Sequence, residues 1–268
     1  MTDWVEVADR VLLWRQPILD VNAVLVLGDD GALVVDTLST PGQAQELADA
    51  VRRVTPLGWR VVNTHHHFDH CFGNAVLGAG AEIWAHSECV ARFERWTSSD
   101  QAAAARIADI AAEYAIDGLD TVTLRAPDRE VLGEATLDLG GRVVELRHLG
   151  RGHTDNDLVV VIPDAAAVLA GDLVENGAAP SFDDSWPLEW AGTVAALLEL
   201  QPAVVVPGHG AAMTPEQAKA QHAELAALEW AARQGWHGQA PVDEVTTPFG
   251  ETGRIAVRRA YEFLDGRL

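Results

Sequence analysis

Apolar positions along this chain fall into short runs, separated by stretches with helical spacing. Val5, Val7, Val11 and Leu13 give short apolar stretches within residues 4–14 and predict edge strands. Val21–Leu27 and Ala32–Val35 are β-rich runs on either side of Gly28-Asp29-Asp30-Gly31, a hairpin signal. Thr40-Pro41-Gly42-Gln43 has the form of a capping box with proline at the first helical position. Ala44, Leu47, Ala48, Val51 and Val54 then keep helical spacing, so a helix is expected over 41–54. A short apolar run at 60–63 predicts a buried strand, and Ala81–Ala85 another, with Gly73-Asn74 and Gly78-Ala79-Gly80 bounding a short helix between them.

From Ser87 to about Gly118 the pattern is helical and alanine-rich, broken near Thr97-Ser98-Ser99-Asp100, where Ser99 or Asp100 can cap a second piece. Strand texture returns at Thr121–Leu124, Glu130–Leu139, Arg142–Leu146, Leu158–Ile162 and Ala166–Ala170. A helix is expected at about 188–200, a short strand at Val204–Val206, and a helix from Thr214-Pro215-Glu216-Gln217 to about Gln234. The tail from Glu251 reads as a last helix. Strands running into helices, with polar residues at the strand ends, describe an α/β chain. No Gly/Ser/Pro linker is long enough to divide it. One domain is expected over 1–268, with the helical stretch at about 87–118 as an insertion that either covers a site or forms an interface.

Composition narrows the partners. The 268 residues carry 19 Lys and Arg against 40 Asp and Glu, a net charge of −21. Such a field repels a phosphate backbone, so nucleic acid is not an expected partner. No run of eighteen apolar residues predicts a membrane span, and the start lacks the pattern of a secretory leader, so a cytoplasmic setting is expected. The two cysteines, Cys71 and Cys89, define no disulfide framework.

The chemistry concentrates in Thr64-His65-His66-His67-Phe68-Asp69-His70, immediately after the predicted strand at 60–63. Imidazole and carboxylate together suit zinc, with iron and manganese as alternatives. His65 and His67 can point the same way in an extended segment, because side chains alternate. Asp69 and His70 lie just beyond, placed for a second ion. Three more strand ends carry the same residue types: His153 within Gly150-Arg151-Gly152-His153, Asp172 after Gly171, and His209 within Pro207-Gly208-His209-Gly210. Asp36, ending the run at 32–35, is either a turn residue or a carboxylate that fixes a ligand histidine.

In this order the five features resemble the signatures of the metallo-β-lactamase-fold hydrolase superfamily, from about Val21 to His209. The resemblance implies a four-layer αββα sandwich of two mixed sheets flanked by helices, with two metals at one edge. By position, His65, His67 and His153 would hold the first zinc and Asp69, His70 and His209 the second, with Asp172 bridging. His66 and Phe68 fill variable positions. Asp36 matches the family's aspartate beneath the metal loop, which favours the ligand-fixing reading. A hydroxide shared by the two ions would attack a carbonyl or phosphoryl centre, with Asp69 orienting it and taking its proton.

The substrate is less specified. Asp172 is similar to the thioesterase, lactonase and phosphodiesterase branches, but Glu175 stands where quorum-signal lactonases have tyrosine. The expected partner is therefore a small-molecule ester, thioester or lactone, with β-lactam hydrolysis as a side activity and a homodimer as a possible assembly. Arg151 is a candidate for binding a substrate carboxylate, against a solvated role. Phe182, Trp186 and Trp190 are candidates for an apolar wall of the groove, against core packing. Two other readings remain: a mononuclear iron dioxygenase acting on persulfides, which has this fold, and a non-catalytic metal-binding scaffold.

Overall fold

The computed structural model describes residues 3–268; residues 1 and 2, the start of the expected domain, lie outside the described residues. Seven strands form the first sheet in chain order: β1 (Val5–Ala8), β2 (Val11–Gln16), β3 (Val21–Leu27), β4 (Ala32–Val35), β5 (Trp59–Val62), β6 (Ile83–His86) and β7 (Arg129–Val131). The pairs from β1 to β4 are antiparallel and those from β4 to β7 parallel. Five strands form the second sheet: β8 (Glu134–Asp138), β9 (Val143–Arg147), β10 (Val159–Ile162), β11 (Ala167–Gly171) and β12 (Val204–Pro207), with β11 and β12 parallel and the rest antiparallel.

Alternation along the strands explains the layering. On β3, Val24 and Val26 face the second sheet, while Ala23 and Leu25 face the helix α1 (Pro41–Val54). On β10, Val160 and Ile162 join the layer between the sheets, and Val159 and Val161 face the opposite helices. Both faces of these strands are buried, so they read as continuous apolar runs. The short helices α2 (Phe68–Cys71) and α3 (Asn74–Leu77) follow β5, and α4 (Ser87–Trp96) and α5 (Asp100–Glu113) follow β6. The helices α6 (Trp190–Glu199), α7 (Pro215–His237) and α8 (Gly250–Leu264) cover the second sheet. The result is the αββα sandwich. No helix among the described residues is long and apolar enough to cross a membrane.

The caps behave unevenly. Thr214 and Gln217 form a reciprocal capping box on α7. On α1, Thr40 accepts from the Gln43 amide, but the Gln43 side chain turns to the Ser39 amide instead. Ser99 caps α5 through the Ala102 amide.

Two strand expectations are corrected. Glu130–Leu139 is not one strand: its ends belong to different sheets, and the chain crosses between them at Leu132-Gly133. Thr121–Leu124 forms no strand. Val122 and Leu124 instead pack beneath α4 and α5, so their apolar character serves a helix contact and not a ladder.

Leu169 lies in the layer between the sheets at 2% exposure, whereas Leu132 is 77% exposed at the crossover. Leu169→Ala is expected to lower unfolding stability by about 2–5 kcal/mol. Leu132→Ala is expected to change it by no more than about 0.5 kcal/mol. Denaturant midpoints of the two variants check this.

Candidate metal centre

Four loops at one edge of the sandwich converge. The first leaves β5 and carries His65, His67, Asp69 and His70; the others leave β9, β11 and β12 and carry His153, Asp172 and His209. Donor atoms of His65, His67, His153 and Asp172 form one cluster within 4.8 Å, and those of Asp69, His70 and His209 form a second. Asp172 lies between them: its carboxylate is 3.4 Å from His153 Nε2, 3.2 Å from His70 Nε2 and 3.3 Å from His209 Nε2.

The backbone makes room for this approach. Gly171 has a φ of +53°, a left-handed conformation that suits glycine, and it leads directly into Asp172. A Cβ on Gly208 would overlap the Asp172 carboxylate. The His209 loop is tied to the first sheet by Asn22, whose side chain donates to the carbonyls of Pro207 and Gly210, both at 2.8 Å. The Asn22 amide donates to Gly208 O at 2.8 Å. Asn22 sits inside an apolar run and gave no chemical signal in the sequence.

Each ring is oriented from behind. His70 Nδ1 lies 2.8 Å from Asp36 Oδ2, and His209 Nδ1 lies 2.8 Å from Leu19 O. These acceptors fix the proton on Nδ1 and turn both Nε2 lone pairs toward the cluster, 3.3 Å apart. His67 Nε2 lies 3.0 Å from Asp184 Oδ1, so its Nδ1 lone pair faces inward, 2.8 Å from His153 Nε2. Asp36 also accepts from the Thr64 amide at 2.7 Å and the Thr64 hydroxyl at 2.8 Å. It therefore holds the metal loop at both ends.

Burial is the largest influence on the titration of these groups, and it pushes His153 down to about 3, a neutral imidazole. Burial also pushes His70 and His209 down. For both, Asp172 and Asp69 prevail and raise the net pKa. The carboxylates thus demand positive charge, which a proton or a metal ion can meet. His65 Nε2 is buried in the first cluster with no hydrogen-bond partner. A buried imidazole lone pair without a partner, beside facing lone pairs on neighbouring rings, fits metal ligation.

Asp184, between β11 and α6, was not singled out from sequence. It accepts from His67 and also lies 3.1 Å from His66 Nε2. Burial pushes it up, but His67 and His66 outweigh this and hold it well below the usual carboxylate range. The other ring nitrogen of His66 meets the Asn156 amide at 2.8 Å, so this ring is satisfied within the protein. The Cys71 thiol donates to the carbonyls of His66 and His67 at 3.2 and 2.9 Å, clamping the loop from below.

A cleft of about 580 Å³ opens over the two clusters. One wall is α5 and its exit, through Arg106, Ile110 and Tyr114; the other is the segment 179–184 with Ile255 of α8. The helical stretch at 87–118 therefore builds part of the site. Neither Arg151 nor Trp186 is among the residues lining this cleft. The Arg151 guanidinium stacks 3.6 Å above the Trp186 ring and pairs with Glu189, so each occupies the other. Trp190 is buried against the His153 ring, and Phe182 both lines the cleft and packs on Trp190. His86 and His148 stack on one another at 4.2 Å, apart from the two clusters.

Known proteins place this arrangement. The family model described as the metallo-beta-lactamase superfamily matches residues 17–209. No curated protein matches. Among solved structures, a metallo-beta-lactamase from Pontibacter korlensis is similar with a TM-score of 0.65 at 20% identity, covering 84% of this chain and 99% of that one. The DIM-1 metallo-beta-lactamase, in a structure exposed to ceftazidime, gives 0.64 at 18%, over 84% and 96%. The stereoselective inverting sec-alkylsulfatase Pisa1 from Pseudomonas sp. gives 0.76 at 19%, covering 98% of this chain and 50% of that one. These identities speak for a shared fold. The family match covers most of the chain and takes in every residue of the two clusters: the chain belongs to the metallo-beta-lactamase superfamily.

Proposed function

We propose that this chain is a dinuclear zinc-dependent hydrolase of a small ester-like, thioester or lactone substrate. The observation that carries this reading is the pair of adjoining donor clusters with Asp172 between them, open to a cleft. His65, His67 and His153 would hold one ion, Asp69, His70 and His209 the other, and Asp172 both. The chemistry that such a bound pair supplies is a water of lowered pKa and polarisation of the electrophilic oxygen.

The protein's own groups supply the rest. Asp69 stands at the floor of the cleft, with Oδ2 3.3 Å from His209 Nε2. It can orient an incoming water and accept its proton. Asp36, Leu19 O and Asp184 hold the tautomers of His70, His209 and His67, so the ligand lone pairs are set before any ion arrives. Ile110 on one wall and Phe182 on the other give the cleft apolar sides that keep water from the substrate. The resemblance to lactamase and sulfatase structures makes a β-lactam and an alkyl sulfate useful members of a substrate panel.

Zinc-loaded protein is expected to release thiol from acyl thioesters, and EDTA is expected to abolish the release. His153→Ala should lower the bound metal from two ions toward one. Asp69→Asn should cut kcat by about 100-fold or more, the scale of a lost general base. Metal analysis alongside a thiol assay reads all three. Protein carrying one tightly held iron, with no hydrolysis of any substrate in the panel, would overturn the reading in favour of oxygen chemistry.

Asp184→Asn presents an amide to His67 in place of a carboxylate. Metal affinity is expected to fall by about 10–100-fold. Competition with a chromogenic chelator measures it, and an unchanged affinity would remove Asp184 from the metal centre.

A further inference from the structure

The cleft wall on α5 carries one group that nothing in the protein uses. Arg106 is the one lysine or arginine that lines the cleft, among the described residues. Its guanidinium lies over the Trp96 ring, with Cζ 4.6 Å from the ring centroid. Trp96 in turn sits 5.9 Å from the His66 ring at the edge of the metal loop. A cation–π contact of this kind restrains the guanidinium while leaving N–H groups free to donate to an acceptor. Yet Arg106 makes no ion pair with any described carboxylate, and its Nε is buried without a hydrogen-bond partner. Most other half-buried arginines are committed: Arg92 pairs with Asp155 and Arg151 with Glu189. A buried guanidinium N–H without a partner costs free energy unless an acceptor completes it.

The cleft's acidic residues do not fill that role. Asp69 and Asp172 face the histidine clusters, Asp184 is occupied by two imidazole N–H groups, and Glu113, Glu175 and Asp183, which also line the cleft, form no ion pair with Arg106. Burial lowers the pKa of Arg106, with Asp109, Asp184 and Glu113 opposing it from a distance. Below Arg106 on the same wall, Ile110 is nearly buried, and Tyr114 packs on Phe68 with ring centroids 4.5 Å apart. The wall therefore sets a cation and apolar side chains, together with the carboxylate of Glu113, beside the floor that carries the two donor clusters.

We propose that Arg106, backed by Trp96, binds a carboxylate on the substrate, and that the preferred substrate is an acyl compound with a terminal carboxylate separated from its scissile bond by a short apolar chain. This rests on the hydrolase reading for the placement of the scissile bond over the donor clusters. A bidentate guanidinium–carboxylate pair supplies orientation as well as affinity. It distinguishes an acyl chain that ends in a carboxylate from one that ends in a methyl group.

Two probes of the metal-loaded protein test this, one by turnover and one by binding. With S-glutaryl and S-butyryl N-acetylcysteamine as thioesters, Arg106→Gln is expected to raise KM for the glutaryl compound about tenfold or more. KM for the butyryl compound should stay within about twofold, as for a surface change away from its contacts. Arg106→Lys keeps the charge but loses the planar group and the fork, and should fall between. By calorimetry, glutarate should bind more tightly than valerate to the original protein, and Arg106→Gln should erase the difference. Circular dichroism verifies that the variants are folded. Cleavage of both thioesters with KM values that Arg106→Gln leaves unchanged would overturn the carboxylate site while sparing the hydrolase. If no thioester is cleaved, the hydrolase reading fails for this substrate class and the glutarate measurement alone decides: a preference lost in Arg106→Gln upholds the site, and one that is absent or survives overturns it.

Discussion

The carboxylate of Asp36 is the point on which the arrangement depends. It ends β4 with a φ of +65°, a left-handed conformation that aspartate tolerates better than most residues. In that position it accepts three hydrogen bonds, from the amide and hydroxyl of Thr64 and from His70 Nδ1. Burial pushes the pKa of this carboxyl up, and the three donors offset part of that rise. The backbone strain is therefore stored where it is useful. The Asp36 carboxylate works alongside backbone ties at the same two points, from the Leu158 amide to Thr64 O and from the Thr37 amide to His70 O, both at 2.8 Å.

The second support comes from across the sandwich. Asn22 on β3 holds the loop after β12, although 185 residues separate it from Pro207. Together with Val21, which bridges to His209, it joins the start of an inner strand of the first sheet to the loop after β12. The layer of Val, Leu and Ile between the sheets holds the two together and sets their spacing. The polar ties at the rim set register, which an apolar layer specifies poorly. Division of labour of this kind is why a site can be precise on irregular loops: the scaffold is rigid, and a few hydrogen bonds index the loops to it.

Much of this was legible because the signals were local. The runs at 21–27 and 32–35 with their Gly-Asp-Asp-Gly turn became β3 and β4, and the two Thr-Pro caps opened α1 and α7. The histidine motif carries its meaning within seven residues, and the later Gly-His and Gly-Asp pairs gained theirs from order along the chain. What stayed hidden depends on encounters between distant segments. Asp184 is one acid in an irregular stretch of several, and only the folded chain brings it to His66 and His67. Arg106 looks like any helical arginine until its lack of partners is seen. Arg151 and Trp186 gave a plausible pair of substrate contacts, and the structure spends them on each other. The stretch 130–139 kept its apolar alternation while changing sheets, and periodicity does not report which sheet a strand joins.

The wide separation of the donors along the chain has a consequence for how the protein comes into being. His70 and His209 lie 139 residues apart, and His67 and His153 lie 86 apart. A ribosome adds about 5–20 residues per second, so on the order of ten seconds pass between the emergence of the motif loop and that of the last histidine. During that interval the nascent chain displays its first four donors with no complete pocket around them. The strand that completes the second sheet, β12, is also the one that delivers His209. Closure of the sheet and completion of the donor set are therefore a single event, and a metal ion captured before it would wait on a half-built cradle until β12 is in place.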